Sequence, residues 1–416
     1  MNNKNSNTFQ RLKCYIKESK RSVWLGNSHS PINSTNLNLE NSKNMRANQI
    51  HHGQYDVVWI YSKSIFDYLE GWKIILDEAI RLCAEHSKII VRSLDNSYGT
   101  LFELKSLLFR NQCIDVSLDL QFSVHDNFTV SVFSITRKEL VKYQDKSWSV
   151  GILSNGKKED IVKDLINSIL ISNKKNIPVE FIIAGPKLTH IENHNANIRY
   201  VSTNIKDELA RIADKKNKII ESANNCNIAI FHDRYIVAEN FFDGFEKFGY
   251  DFDFLTVSQY YEDDSEFPSY LTFEKKEKRW QTPLHIENHD KSPSGAFLNG
   301  GLIILKKHLS TRPIFNDLLL HNEAEDVEAA FNLTELGVVP RFNGYSKVTT
   351  VGIPLNYTST FLSYSKVATP TLFQKVRLKS LIYSAVYFAW AHLPKKLRLK
   401  ISRSTWYVQF KNFIRT

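Results

Sequence analysis

The sequence predicts an α/β protein made of two successive sheet units, followed by a basic, amphipathic helical tail. Three observations carry that prediction. Short apolar runs alternate with stretches of helical periodicity between about residues 21 and 136, the pattern of a sheet covered by crossover helices. The pattern restarts at Trp148. Beyond Tyr357 the composition turns basic and aromatic. A length of 416 residues agrees with at least two cores, because a single core seldom grows beyond about 250–300 residues.

In the first unit, Arg21–Gly26 reads as a strand entering a loop, Tyr55–Tyr61 as a buried strand and Lys88–Arg92 as another. Between the last two, Trp72, Ile75, Leu76, Ala79, Ile80 and Cys83 recur at helical spacing. Ile114–Val124 and Phe128–Thr136 alternate and are predicted to close the unit as an antiparallel pair. In the second unit, Ser149–Leu153 is predicted as a strand ending at Ser154-Asn155-Gly156. Glu159–Asn173 is a helix with Ile161, Val162, Leu165, Ile166 and Ile169 on one face. Strands Val179–Ala184 and Ile198–Ser202 follow, then a helix to about Asn225 and the strand Asn227–Phe231. Neither a P-loop nor a GxGxxG motif is present, so a kinase, an ATPase or a dinucleotide oxidoreductase is not indicated.

Charge is unevenly placed. The chain has 54 Lys and Arg against 44 Asp and Glu, a net charge of +10, yet the last acid is Glu335 and the 81 residues after it contain 13 basic residues. A body near −3 with a basic end predicts contact with an anionic surface. In 371–413, Lys375, Arg377, Lys379, Lys395, Lys396, Arg398, Lys400 and Arg403 interleave with Phe373, Trp390, Trp406, Phe410 and Phe413. So large an apolar content suits an interfacial helix on lipid or a face packed on the preceding domain, and argues against nucleic acid. The longest apolar run, Leu381–Leu393, is 13 residues, short of the roughly 20 a spanning helix needs. The N-terminus lacks the apolar stretch of a cleaved signal. Four cysteines, at 14, 83, 113 and 226, show neither CxxC nor Cys/His ligand spacing. Neither a disulfide framework nor a structural zinc site is predicted, and a reducing compartment is.

Chemistry is predicted where strands end. Asn227–Phe231 runs into His232-Asp233, and ligands of open α/β sheets collect at the carboxyl ends of strands. A carboxylate there can hold a metal against a diphosphate, or it can simply cap a turn. Glu325-Asp326-Val-Glu328 opens a later helix, where acids are favourable in any case. Asn299-Gly300-Gly301 precedes the strand Leu302–Leu305 and permits close backbone approach. Lys215, Lys216 and Lys218 begin a helix, either as a solvated run or as contacts to an anion. Asp251-Phe-Asp253 lies in an apolar run and reads as structural. Tyr260–Lys291, rich in charge and aromatics with Trp280, reads as a loop region, and His285 and His289 as surface histidines or an added metal ligand.

Two resemblances follow from these motifs. Residues 20–138, with Ser22–Leu25 leading into Gly26-Asn27-Ser28-His29-Ser30, Glu40 after the next apolar stretch and the Tyr55 strand before a helix, resemble a class I methyltransferase domain. That family places several glycines in the first loop and only Gly26 stands here, so the implied domain, 21–147, is a non-catalytic one. Residues 148–355 resemble a family 2 glycosyltransferase of the GT-A fold, through Gly151-Ile-Leu-Ser-Asn-Gly156, Lys215-Lys-Asn-Lys218, His232-Asp233, Phe297-Leu-Asn-Gly-Gly-Leu302 and Glu325-Asp326-Val-Glu328. The family's metal motif is Asp-x-Asp, and Phe231 occupies its first position here.

The two resemblances imply two Rossmann-like domains, 21–147 and 148–360, and composition sets them between a polar extension (1–20) and a basic membrane-association segment (361–416). The glycosyltransferase resemblance implies metal binding by Asp233 with Mn²⁺ or Mg²⁺. Donor contacts fall to Ser154, Asn155, Gly156, Lys216, Lys218, His232, Asp233, Asn299, Gly300 and Gly301, and the catalytic base to Asp326, with Glu325 as the neighbouring alternative. The implied activity is inverting transfer of a sugar from a nucleoside diphosphate, UDP foremost, to a lipid-linked or polysaccharide acceptor of the cell surface, at the cytoplasmic face of a membrane. The alternatives are methylation of the same glycan and a scaffold of two degenerate domains.

Overall fold

The first unit forms a six-stranded sheet in a computed structural model that describes residues 10–18, 21–124, 127–138, 143–189, 196–204, 209–273, 283–286, 292, 295–310, 312–321, 323–355, 393 and 401. Its strands are β1 (Ser22–Leu25), β2 (Thr35–Leu37), β3 (Tyr55–Ile60), β4 (Cys83–Ser93), β5 (Ile114–Ser123) and β6 (Thr129–Arg137), in spatial order β2-β1-β3-β4-β6-β5. The first four are parallel, and β6 runs antiparallel to both neighbours. Helix α1 (Trp72–Leu82) buries the apolar face its periodicity predicts. Helix α2 (Leu101–Arg110) starts on a capping box: the Thr100 hydroxyl accepts from the Glu103 N–H, and the Glu103 carboxylate accepts from the Thr100 N–H.

The second sheet has eight strands. Its members are β7 (Trp148–Leu153), β8 (Val179–Ala184), β9 (Asn197–Val201), β10 (Asn227–His232), β11 (Tyr235–Val237), β12 (Phe254–Tyr260), β16 (Leu302–Lys306) and β17 (Arg341–Thr350). A separate three-stranded sheet, ordered β14-β13-β15, contains β13 (Tyr270–Thr272), β14 (Leu284–His285) and β15 (Ala296–Leu298). The large sheet is ordered β11-β17-β12-β16-β10-β7-β8-β9, with β7, β8, β9 and β10 parallel and β16 inserted antiparallel beside β10. Strand β7 is buried along its whole length, as a parallel strand covered on both faces must be. Helices α3 (Glu159–Ser172), α4 (Ile212–Ser222), α5 (Phe241–Phe248) and α6 (Glu325–Glu335) accompany it. Gly151 lets α4 approach, since a Cβ there would lie 2.2 Å from an Ile219 methyl. On the other face, Trp148 packs among Phe241, Phe242, Phe245 and Tyr250.

The chain is thus α/β, as predicted. The two large sheets belong to one compact unit, 1–279 with 283–358, and a buried ionic network joins them. Arg46 Nη1 donates to Glu78 at 3.0 Å, and its other nitrogens reach the carbonyls of Phe248 and Asp251. Arg341 on β17 pairs with Asp77 at 2.5 Å and Glu78 at 3.0 Å. Arg81 pairs with Asp77, Asp251 and Asp253, and Arg137 holds both Asp251 oxygens at 2.9 Å. Burial alone would raise these carboxyls, yet Arg46 and Arg341 hold Glu78, and Arg81 holds Asp253, well below the usual range. The Asp251-Phe-Asp253 motif is therefore structural: the Asp251 carboxylate and one Asp253 oxygen engage arginines of the first unit.

A second unit, 280–282 with 359–416, contains the basic tail. The tail, Trp280 and His289 lie outside the described residues, apart from 393 and 401 in the tail. Among the described residues no helix is long and apolar enough to cross a membrane.

Candidate active site

At the carboxyl edge of the large sheet, β10 ends at His232 and runs on to Asp233. Strand β16 starts beside that end because Phe231 pairs with Leu302, which places the Asn299-Gly300-Gly301 turn over it. The His232 N–H donates to the Gly301 carbonyl at 2.9 Å. The turn is pinned by Asn299, whose amide donates to the Pro268 carbonyl and whose oxygen accepts from Gly301 N–H at 2.9 Å. Asn299 is buried and fully engaged, so it shapes the turn.

The glycines of this turn serve packing. A Cβ on Gly300 would lie 2.8–3.0 Å from three Asp326 atoms, and one on Gly301 would lie 2.5 Å from the Tyr235 hydroxyl. With no side chain in the way, the Gly300 N–H donates to Asp326 Oδ2 at 2.7 Å, while Oδ1 accepts from Val327 N–H at 2.9 Å. Asp326 stands in the first turn of α6, which Ala324 opens with φ 59° and ψ 46°. A non-glycine residue in that left-handed region stores strain, of the kind found beside functional sites.

Lys216 completes this corner. Its Nζ, wholly buried, donates to the Gly300 carbonyl at 2.9 Å and to Glu325 at 3.0 Å. Glu325 is thus held in a buried ion pair. Asp326 is pushed up to about 6, first by burial and then by the neighbouring Glu325 charge, with Lys216 and the two N–H groups opposing. A carboxylate with that value is ionised at neutral pH yet basic enough to accept a proton from a hydroxyl in a transition state.

The strand end gathers cations. Burial raises the Asp233 carboxyl; Lys158, the Asn155 N–H and Arg234 pull it back down. Burial, then Arg234, Lys216, His321 and Lys158, hold His232 well below the usual imidazole range, so it is neutral. Its Nε2 is buried without a hydrogen-bond partner among the described residues. The Ser154-Asn155-Gly156 loop joins the same corner: the Ser154 hydroxyl accepts from Gly156 N–H, and the Ser154 carbonyl accepts from Lys215 Nζ at 3.1 Å.

Of the residues singled out in the sequence, Ser154, Asn155, Gly156, Lys216, His232, Asp233, Gly300, Gly301, Glu325 and Asp326 lie along this edge. Lys218 does not join them. It sits on the exposed face of α4, paired with Glu221 at 2.8 Å, because a helix turns positions 216 and 218 to different sides. His285 lies 3.6 Å from Glu266 on the small sheet. Sequence reasoning passed over Lys158, Arg234 and His321; the only signal for Lys158 was its place two residues after the Gly156 turn.

No protein-family profile matches the chain, and no curated protein matches it. Among solved structures, the chain is similar to GalNAc-T7 with UDP, GalNAc and Mn²⁺, at 11% identity and a TM-score of 0.38 over 52% of this chain and 45% of that one. It is also similar to TarS 1–349 of S. aureus, at 12% identity and TM-score 0.33 over 53% and 70%. A third similarity is to the mannosyltransferase PcManGT of Pyrobaculum calidifontis in complex with GDP-Man and Mn²⁺, at 9% and 0.36 over 51% and 59%. The chain spans less than half the length of the first of these. Likenesses of this depth carry no argument about activity, which rests on the site.

Proposed function

We propose that the second sheet unit is a glycosyltransferase that moves a sugar from a nucleoside diphosphate to a hydroxyl acceptor with inversion. One observation carries the reading: a carboxylate poised near 6, Asp326, shares a glycine turn with a strand end where one acid, a neutral histidine and several cations converge. An inverting displacement needs a base on the acceptor hydroxyl and positive charge on the departing diphosphate. Asp326 accepts the acceptor proton as the oxygen attacks the anomeric carbon, and the diphosphate leaves with the bonding electrons. Lys158 and Arg234 supply charge at the leaving-group end. Lys216 fixes the turn and, through Glu325, sets the field on Asp326.

A divalent cation fits the strand end in its donor set. The Asp233 carboxylate and the unpartnered Nε2 of His232 would hold it, with phosphate oxygens completing the shell. When bound it would neutralise charge on the diphosphate.

The first sheet supports a non-catalytic reading of the methyltransferase-like unit. The Ser62 side chain occupies the space above Gly26, where a Cβ would fall 2.0 Å from its oxygen. Glu40 is engaged by Lys63 at 2.7 Å and by Asn27. The polysaccharide or lipid-linked acceptor, and attachment to the cytoplasmic face of a membrane through 361–416, rest on the sequence of that tail.

The test is a panel of nucleotide sugars assayed for nucleoside diphosphate release with and without Mn²⁺ or Mg²⁺. Asp326→Asn should lower the rate by about 10²–10⁴-fold, and the parent rate should rise with pH through about 6 before levelling. Asp233→Ala should abolish metal stimulation. Release by no donor, or unchanged rates in both variants, would remove the proposal in favour of a scaffold. Tight S-adenosylmethionine binding would instead revive methylation.

A further inference from the structure

Away from that edge, where the two sheets meet, three donor atoms from distant parts of the chain converge. Cys113 precedes β5 in the first sheet, Asp253 precedes β12, and His308 follows β16. The Cys113 sulfur lies 3.5 Å from His308 Nε2 and 3.7 Å from Asp253 Oδ1, and those two atoms are 3.3 Å apart. Cys113 and Asp253 are buried, and the His308 side chain is 12% exposed.

These separations match one coordination geometry. With zinc bonds of about 2.3 Å to sulfur, about 2.0–2.1 Å to nitrogen and about 2.1 Å to oxygen, a tetrahedral site has edges of about 3.5 Å between S and N, about 3.6 Å between S and O and about 3.4 Å between N and O. Each observed edge falls within about 0.1–0.2 Å of its ideal. A thiol, an imidazole and one carboxylate oxygen also select a borderline ion over Mg²⁺ or Ca²⁺, which take oxygen sets.

We propose that Cys113, Asp253 and His308 bind one Zn²⁺ that staples the first sheet to the second. The Cys113 thiol releases its proton to solvent as the Zn–S bond forms, and no electrons change hands. With its ring proton on Nδ1, His308 presents the Nε2 lone pair. Thiolate and carboxylate together balance the ion's charge. Asp253 keeps its other oxygen on Arg81, which also retains Asp77 and Asp251. The Tyr143 hydroxyl lies 2.7 Å from Asp253 Oδ1 and 3.1 Å from His308 Nε2; it donates to the carboxylate and orients it from beside the three donor atoms.

The full chain, purified with Zn²⁺ supplied and then dialysed, should retain about one zinc per chain by mass spectrometry of the metal. Cobalt in its place should give thiolate-to-metal charge-transfer absorption that Cys113→Ser abolishes. His308→Ala, at the partly open ligand, should release the metal while the chain stays folded by circular dichroism, and Tyr143→Phe should weaken binding roughly 10–100-fold. Asp233→Ala should keep the zinc. A folded parent that retains no zinc, or variants of Cys113 and His308 that retain it fully, would overturn the proposal and leave a hydrogen-bonded cluster.

Discussion

Replacing Asp326 with Asn should stabilise the folded chain at neutral pH while disabling the site. In the unfolded chain this carboxyl ionises near its usual 3.8, whereas in the folded one burial and Glu325 hold it up to about 6. Between those values the folded chain keeps a proton that the unfolded chain has released. Stability therefore falls as pH rises from about 4 to about 6, and stays low above that. A shift of this size corresponds to about 3 kcal/mol at most, and partial exposure of Asp326 reduces it to about 2–3 kcal/mol. Asparagine cannot ionise, has nearly the same shape and keeps an acceptor for the Gly300 N–H. Urea unfolding of parent and variant at about pH 4 and about pH 7 measures the difference directly. The two should coincide at the lower pH, with the variant more stable by about 2–3 kcal/mol at the higher. A variant less stable than the parent at neutral pH, or a gap independent of pH, would show that Asp326 is not held ionised against its surroundings.

Arg341→Met removes a buried partner from Asp77 and Glu78 and should cost about 3–5 kcal/mol; because the network spans both sheets, signals from Trp59 and Trp148 should shift together in denaturant, and separate transitions would refute the coupling. Lys216→Met should cost a similar amount, since Glu325 is left buried and unpaired, and should move the pH profile of any transfer activity upward, whereas Lys218→Ala on the exposed face should change stability by no more than about 0.5 kcal/mol. Removing 371–416 should move the protein from the membrane to the supernatant on cell fractionation, and an unchanged distribution would sink the lipid-contact proposal.

The site was partly legible because strand ends leave local marks. An apolar run that stops at His232-Asp233, paired glycines before another run and acids at a helix start are all signals within a few residues. What those marks do was not legible. Gly300 and Gly301 were read as room for a ligand, and in the structure they make room for Asp326 and Tyr235. Lys216 and Lys218 looked equivalent in a charge run, yet a rotation of two helical positions buries one against Glu325 and leaves the other in solvent.

By itself the sequence determined the α/β class, most elements of the two sheet units and the neighbourhood of the candidate site, since hydrophobic period and turn residues are local properties. It also determined the separation of a near-neutral body from a basic end, which composition alone decides. Only the tertiary structure decided that the two sheet units share one buried ionic network, because Arg341 meets Asp77 across 264 positions and no periodicity spans that distance. The same holds for Cys113, Asp253 and His308. Their spacing along the chain bears no metal signature, and their donor atoms come within ligand distance only where the two sheet units meet, with arginines of each unit against acids of the other.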